Sequence, residues 1–324
     1  MGKLFTISKR KNYKILVLRT EHIGDYILSL PALKALRIKF PNAKIDVVVG
    51  SWNKLLAERT PYINQVIVFD NPLIKRNLGY PGLFKEVFFG RKIYSNFFKK
   101  VNKEKYPLFI SFSNRKISSF LNINVNSSNK ILGTNYNFGR IPEYKRIEKI
   151  LNSKGVPSRF SMNQVNLNVL SNEKKKINLI LKKFNSKRFI VVHPMTPLQE
   201  KNWPLEKWGE LLTKINKKII FIDLPQSKLK IDNIINKFNL KNKSINLCGE
   251  LNLIETYYLI SKASLFIGGD SGPMHLAELT KTPILALFGP TDEKVWGPTR
   301  KGDKVIKKQD IGDIQVKEVL DLLA

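Results

Sequence analysis

The stretch SLFIGGDSGPMHLAELTKTPILALFGPTDEKVWGP, residues 264–298, decides the fold of this chain. An apolar run at 265–267 is too short for a helix and has the length of a buried strand. A glycine-rich turn follows, then the helical pattern of 274–279, and then a second apolar strand. Ser271 or Asp270 can cap the helix, and a proline in its first turn loses no N–H that the helix needs. The stretch therefore predicts one strand–helix–strand unit of an α/β protein.

The turn of this unit, residues 268–272, reads Gly-Gly-Asp-Ser-Gly. It would place bare N–H groups and the positive end of a helix dipole at the edge of a sheet, which suits a phosphate. The turn is not a G-x-G-x-x-G fingerprint, and tight turns without a ligand are common in α/β proteins. Taken alone, it leaves both interpretations open.

The composition is strongly basic. The 324 residues include 56 Lys and Arg against 26 Asp and Glu, a net charge of +30. Such a charge favours contact with a polyanion, either nucleic acid or an anionic membrane surface, although an AT-rich genome also produces a chain rich in Lys, Asn and Ile. The single cysteine, Cys248, rules out an intrachain disulfide and disfavours a metal cluster. No spanning segment or signal-peptide core is present, so the sequence predicts a cytoplasmic protein.

Apolar strands alternate with helical patterns along the chain, which is typical of parallel β-α-β units. Strands are predicted at 15–18, 45–49, 66–69, 106–112, 130–133, 188–193, 218–222, 265–267 and 284–288. In the first half, one helix is predicted over 26–38, with a kink at Pro31. The second half repeats the plan of a strand, a turn and a helix. Two domains are therefore predicted, 1–170 and 171–305, followed by an amphipathic helix within 306–324.

Residues 73–105 differ from the rest, because they mix Phe, Tyr and Leu with Lys and Arg. An aromatic and basic helical segment of this kind can lie on an anionic bilayer surface. The alternative is a solvated helix whose phenylalanines pack inward. The sequence leaves both open.

Five short motifs stand out along the chain: RTEHIGD at 19–25, LPALKAL at 30–36, KNWP at 201–204, GDSGPMHLA at 269–277 and FGPTD at 288–292. Together they resemble the motifs of the bacterial ADP-heptose:lipopolysaccharide heptosyltransferases. The resemblance covers nearly the whole chain in the family's order. It implies an α/β fold of two Rossmann-like domains facing a cleft, the GT-B type of glycosyltransferase. It also implies an inverting, metal-independent transfer of a heptose from ADP-heptose to a lipopolysaccharide core or a related glycolipid.

The resemblance further implies roles for single residues. Asp25, at a strand-to-helix turn, is expected to take the proton of the acceptor hydroxyl; its alternative role is an ordinary helix cap. Lys201 is expected to stabilise the departing diphosphate; its alternative is a solvated lysine. Contacts with the nucleotide-sugar are expected from Thr196, Lys201, Asp270, Ser271, Gly272 and His275. The acceptor side is expected to comprise Thr20, Glu21, His22 and Gly24.

The implied partners are ADP-heptose or a similar nucleotide-sugar, a lipid-linked or lipopolysaccharide core acceptor, and the anionic cytoplasmic face of the inner membrane. Neither a metal ion nor another cofactor is expected. Three alternatives stay open: another nucleotide-sugar as donor, a nucleotide-sugar-binding protein without turnover, and a basic nucleic-acid-binding protein. Specific nucleic-acid binding is disfavoured, because the sequence has no RRM, KH, zinc-finger or recognisable helix-turn-helix pattern.

Overall fold

The computed structural model describes most of the chain. The described residues are 13–71, 83–113, 119–185 and 188–323, with side chains described for all of these except 83–91 and 119–120. The chain divides into two compact units. The first comprises Met1–Gly139 and Glu143–Val165, and the second comprises Arg140–Pro142 and Asn166–Ala324. The domain limits given above stay a prediction.

The first unit is built on a five-stranded sheet. Its strands are β1 (Lys14–Leu18), β2 (Lys44–Val49), β3 (Gln65–Val68), β4 (Leu108–Ser111) and β5 (Asn129–Leu132). All neighbours are parallel, in the order β3-β2-β1-β4-β5. Strands β1 and β2 are buried along nearly their whole length, as expected for a parallel sheet. The order reverses between β1 and β4, and ligands of this architecture bind at such a switch point.

The helices of the first unit differ from the sequence prediction at one place. They are α1 (Ile23–Ile27), α2 (Leu30–Lys39), α3 (Lys54–Glu58), α4 (Leu83–Lys103), α5 (Ser119–Asn124) and α6 (Glu143–Ser153). The single kinked helix predicted over 26–38 is wrong, because two helices meet there. Ser29 Oγ donates to the carbonyl of Tyr26 at 2.6 Å where α1 ends. Pro31 then lies in the first turn of α2, where its missing N–H has no helical partner to lose.

Helix α4 carries the described part of the aromatic and basic segment 73–105. Residues 73–82 of this segment lie outside the described residues. Phe97 is buried, with its ring 4.2 Å from that of Phe69, and the ring of Tyr94 lies 5.6 Å from Phe69. The lysines of α4 whose side chains are described are exposed. In this part of the segment, the aromatic side chains therefore pack inward and the lysines form the outer face.

The second unit is built on a six-stranded sheet. Its strands are β6 (Phe189–His193), β7 (Lys218–Phe221), β8 (Ser244–Asn246), β9 (Leu265–Gly269), β10 (Ile284–Phe288) and β11 (Lys304–Lys307). All neighbours are parallel, in the order β11-β10-β9-β6-β7-β8, so the switch point lies between β6 and β9. Strand β11 was not predicted. Two separate parallel sheets confirm the predicted α/β class.

The helices of the second unit include the one predicted between two strands in the stretch 264–298. They are α7 (Ser171–Phe184), α8 (Leu205–Lys214), α9 (Lys228–Lys237), α10 (Leu253–Ile260), α11 (Gly272–Glu278), α12 (Glu293–Trp296) and α13 (Val316–Leu323). Helix α11 connects β9 to β10, which confirms that strand–helix–strand unit, and Ser271 is its cap. Helix α13 packs on α8 and β11. The resemblance described above also implies that this helix crosses back to the first unit, which stays a prediction.

The core of the second unit gathers around two tryptophans. Trp203 and Trp208 are buried, with ring centroids 5.1 Å apart in an edge-on arrangement. Trp203 Nε1 donates to the carbonyl of Ile314 at 3.0 Å, which ties the loop before α8 to the start of the C-terminal segment. Among the helices that are described, none combines the length and the apolar character needed to cross a bilayer.

Candidate active site

The turn after β1 holds Asp25 at the edge of the first sheet. Asp25 is the third residue of α1, and its Oδ2 accepts the backbone N–H of His22 at 3.1 Å, a capping-box contact. Arg19 donates from Nε to the Asp25 carbonyl at 2.9 Å, and its Nη2 lies 3.5 Å from Asp25 Oδ1. Asp25 therefore does cap the helix. A carboxylate accepts more bonds than these, so the cap leaves capacity for a further donor.

A buried ionic cluster stands behind Asp25. The guanidinium of Arg19 lies 3.0 Å from Glu143 Oε1 and 3.9 Å from Glu21 Oε2, and Arg146 donates to both oxygens of Glu143 at 2.7 and 2.8 Å. Burial alone would lower the pKa of Arg19, but the charges of Glu21, Asp25 and Glu143 raise it. Arg19 therefore keeps its positive charge in this buried cluster. Sequence reasoning missed Glu143 and Arg146; the available signal was charged residues on the buried face of α6.

The predicted acceptor-side residues differ in exposure. Thr20 and Glu21 are buried, whereas His22 and Gly24 are half-buried. Trp52 Nε1 donates to the carbonyl of Glu21 at 2.7 Å and so holds the loop in place. Within the described residues, Thr20 Oγ1 is buried without a hydrogen-bond partner. The half-buried residues of this loop are the ones that a ligand can reach without rearrangement.

Lys201 and Asp270 meet at the switch point of the second sheet. Lys201 ends a short 3₁₀ helix, Gln199–Lys201, in the loop after β6, and Asp270 follows β9. Lys201 Nζ lies 2.5 Å from Asp270 Oδ2, and their side chains are 16% and 11% exposed. The alternative of a solvated lysine is therefore wrong. The structure places an oriented, largely buried ammonium group at the edge where ligands of this architecture bind.

The first two glycines of the 268–272 turn, Gly268 and Gly269, allow this approach. A Cβ on Gly268 would lie 3.0 Å from the carbonyl oxygen of His193, and one on Gly269 would lie 3.3 Å from that of Lys201. Both distances are shorter than ordinary contacts, so a side chain at either position would push the β6 loop outward. The glycines therefore let the two loops close on each other.

Ser271 connects α11 to the end of β6. Its Oγ accepts the N–H of Met274 at 3.4 Å, lies 3.3 Å from His193 Nδ1, and donates to the Gly269 carbonyl at 3.1 Å. Burial lowers the pKa of His193, against the opposing charge of Asp223, whose Oδ2 is 3.9 Å from Nε2. The imidazole is therefore neutral near pH 7. Sequence reasoning placed His193 at a strand end but missed Asp223.

His275 and Glu278 extend the Lys201–Asp270 pair into the interior. His275 Nε2 lies 3.8 Å from Asp270 Oδ1, and its Nδ1 lies 2.8 Å from Glu278 Oε2. Burial raises the pKa of Glu278, while His275 acts to lower it. The result is a chain of four charged or titratable groups, Lys201–Asp270–His275–Glu278, of which the sequence analysis singled out all but Glu278.

Thr196 has a local structural role. Its Oγ1 donates to the carbonyl of Leu198 at 2.9 Å, and its N–H donates to Asn202 Oδ1 at 2.7 Å. These bonds shape the loop that carries Lys201. A contact between Thr196 and a nucleotide stays a prediction, as does one from Gly272, the first residue of α11.

A metal site would need several ligating side chains close together. Across the four described ranges, no group of three or more His, Cys, Asp or Glu side chains could hold a metal ion. Metal independence itself stays a prediction.

Comparison with known proteins gives a consistent set of relatives. The family model described as glycosyltransferase family 9 (heptosyltransferase) matches residues 151–319. Lipopolysaccharide heptosyltransferase 3 of Escherichia coli is 24% identical over 295 residues, which cover 85% of this chain and 83% of that protein. Lipopolysaccharide heptosyltransferase 2 of Salmonella typhimurium is 24% identical over 322 residues, covering 91% and 88%.

Solved structures show the same fold. The glycosyl transferase family 9 protein from Veillonella parvula matches with a TM-score of 0.78 at 19% identity, covering 97% of both chains. ADP-heptose LPS heptosyltransferase II of E. coli matches with a TM-score of 0.73 at 20% identity, covering 96% of this chain and 97% of that one. Two Rossmann-like α/β sheets in one chain are thus the shared architecture.

Proposed function

Because the chain belongs to glycosyltransferase family 9, whose model matches more than half of it, we propose that it transfers a heptose from ADP-heptose to a lipopolysaccharide core or a related glycolipid. The family makes the protein a glycosyltransferase of the heptosyltransferase type. The proposal adds the donor, the acceptor, inversion at the anomeric carbon and independence from metal ions. The names of the relatives above support the donor and the acceptor.

The placement of Lys201 carries the proposal. When the glycosidic bond to the donor breaks, negative charge develops on the departing diphosphate, and a site without a metal needs a cation already in place. Lys201 is such a cation, held at 2.5 Å by Asp270 beside the Gly-rich turn of 268–272. An ammonium has three donors, so the bond to Asp270 leaves two for phosphate oxygens. Ser271, Gly272, His275 and Thr196 are proposed to complete the nucleotide-sugar site.

Asp25 is the proposed general base. The acceptor hydroxyl gives its proton to the Asp25 carboxylate while its oxygen forms a bond to the anomeric carbon, and the bond to the diphosphate breaks on the opposite face. Arg19 and the N–H of His22 hold the carboxylate in one orientation. The loop of Thr20, Glu21, His22 and Gly24 is proposed to bind the acceptor.

A transfer assay tests the whole proposal. The purified chain is mixed with ADP-heptose and a heptose-deficient lipopolysaccharide core, and the product is detected by its mass. We expect transfer that a chelator does not slow. Product without ADP-heptose, or a rate restored only by an added metal ion, would contradict the proposal.

A thermal-shift series with ADP, UDP, GDP and CMP separates the alternatives. A nucleotide at 100 times its Kd stabilises the folded state by about 2.7 kcal/mol, and we expect ADP to give the largest shift. Preference for UDP would indicate another nucleotide-sugar as donor. An ADP shift without transfer to any core acceptor would indicate a nucleotide-sugar-binding protein without turnover.

We also propose that the enzyme lies at the cytoplasmic face of the inner membrane, where a lipid-linked acceptor would be presented. The exposed lysines of α4 supply a basic face, and each basic residue near an anionic surface contributes about 1 kcal/mol. Sedimentation with vesicles tests this. We expect binding to anionic vesicles, weakened by a double Lys99→Gln and Lys100→Gln variant. The matched control is Lys182→Gln with Lys183→Gln on α7. Equal binding to anionic and neutral vesicles would contradict the proposal.

A further inference from the structure

Glu278 is an unusual residue for the end of a short helix. It is 0% exposed, and within the described chain its Oε1 has no hydrogen-bond partner. Its Oε2 is engaged by His275 Nδ1 at 2.8 Å. Arg300 and Asp303 act on it only through space and with opposite signs. Burying a carboxyl group with one oxygen unsatisfied costs free energy of folding. The bond to His275 is the contact that Glu278 makes in return.

The proton in this bond determines the state of the ring. Two heteroatoms at 2.8 Å need one proton between them, carried either by His275 Nδ1 or by the carboxyl group of Glu278. If the His275–Glu278 pair carries no net charge, the His275 ring has a proton on Nε2 in both cases. That nitrogen lies 3.8 Å from Asp270 Oδ1. An Nε2–H attracts the Asp270 carboxylate, whereas a bare lone pair there would repel it.

We propose that Glu278 is a positioning residue of the donor site. It fixes the His275 ring with Nε2–H toward Asp270, so Asp270 is held from one side by His275 and from the other by Lys201. This arrangement keeps the ammonium of Lys201 in one place for the donor's diphosphate. The inference rests on the proposed function in one respect, that Lys201 receives the diphosphate of a nucleotide.

A double-mutant cycle measured by ADP titration tests the coupling. Glu278→Met removes the partner of Nδ1 at similar volume, and we expect ADP affinity to fall about ten-fold, the effect of one lost buried hydrogen bond. Glu278→Gln restores affinity to within about two-fold, because the amide N–H donates to Nδ1 and leaves Nε2–H in place. With Lys201→Met already present, Glu278→Met has less than about a two-fold effect, because coupled residues are not additive.

The control is a second buried glutamate of the same unit. Glu255 is paired with Lys176 at 2.8 Å and lies at the start of α10. Glu255→Met removes a buried carboxylate away from the Lys201–Asp270–His275–Glu278 chain, and ADP affinity should be unchanged. An equal loss for Glu255→Met and Glu278→Met, or an equal Glu278→Met effect in both Lys201 backgrounds, would overturn the inference in favour of general loosening.

The imidazole spectrum gives a second readout that requires no variant to bind ADP. The chain has three histidines, so ¹⁵N-histidine labelling resolves each ring, and His275→Gln assigns its signals. We expect Nε2 of His275 to carry a proton in the wild-type protein. A bare Nε2 would overturn the inference, even if Glu278→Met fails to fold. If the wild type binds no ADP, the proposed donor is wrong, while the spectrum still decides the role of Glu278.

Discussion

The switch points of the two sheets share one backbone arrangement, a loop after a parallel strand, but present side chains of opposite charge. In the first unit, the most exposed member of the ionic cluster is Asp25, whose side chain is 9% exposed, with Arg19 and Glu143 buried behind it. In the second unit, the most exposed member is Lys201 at 16%, with Asp270, His275 and Glu278 behind it. A loop at the carboxyl ends of parallel strands thus presents a carboxylate in one unit and an ammonium group in the other.

The difference originates in the element that lies behind each loop. Helix α6 brings Glu143 and Arg146 to Arg19, and this cluster of two arginines and three carboxylates is closed, since none of its side chains is more than 9% exposed. Helix α11 brings His275 and Glu278 to Asp270, and this chain is open at Lys201. A closed cluster stabilises the fold, whereas an open chain keeps donors for a ligand.

The largest expected effect on activity is that of Asp25→Asn in the first unit. The variant keeps the size and the cap but removes the proton acceptor, so we expect turnover to fall roughly 10²–10⁴-fold. ADP affinity should not change, because the proposed donor site lies in the second unit. Single-turnover rates and ADP titration measure the two effects. Glu255→Gln, at the same position of another capping box, is the control. Near-normal turnover in Asp25→Asn would mean that Asp25 serves only as a helix cap.

The closed character of the first cluster is tested by Glu143→Gln. This change leaves Arg19 and Arg146 buried beside a neutral group, and breaking a buried pair in this way costs about 3–5 kcal/mol of unfolding free energy. Urea unfolding measures it. Glu148→Gln on the same helix removes a partly exposed pair with Lys145 and should cost at most about 1 kcal/mol. Equal losses in the two variants would show that the closed cluster stabilises the fold no more than a partly exposed pair does.

The open character of the second chain is tested by Lys201→Ala. Loss of a charged donor to the diphosphate should lower ADP affinity about 10- to 100-fold, with a parallel loss of turnover. Lys228→Ala removes a lysine paired with Glu250 on the surface and should change neither quantity. Stronger ADP binding in Lys201→Ala would mean that Lys201 serves only to neutralise Asp270.

The smallest expected effect concerns pH and His193. Its pKa is lowered in the folded state, so protons bind the unfolded chain more tightly and stability falls as the pH drops below about 6.5. The slope for one such group is at most about 1.4 kcal/mol per pH unit. His193→Asn should remove this part of the slope in unfolding experiments between pH 7 and pH 5. Identical slopes in both proteins would contradict a neutral His193 at the second switch point.

The sequence predicted the features that depend on local pattern. Apolar runs located most of the strands, and the pattern after Gly269 limited the cap of α11 to Asp270 or Ser271, of which Ser271 is the cap. The break before Pro31 was missed, because a proline is compatible both with a kink and with a helix start. Glu143 and Glu278 were missed for another reason. Each looks like an ordinary charge on an amphipathic helix until folding brings it to Arg19 or His275.

The distance in sequence between Arg19 and Glu143 has a consequence for how the protein is made. The two residues are 124 positions apart, and α6 returns to the first unit after the chain has passed through residues 140–142. Closing a loop of that length costs roughly 4 kcal/mol in chain entropy. During synthesis, Arg19 and Asp25 leave the ribosome long before Glu143 and Arg146. Arg19 therefore gains its partner Glu143 only when α6 has emerged and docked, so a nascent chain that stops short of residue 143 carries Arg19 and the Asp25 loop without the Glu143 and Arg146 charges behind them.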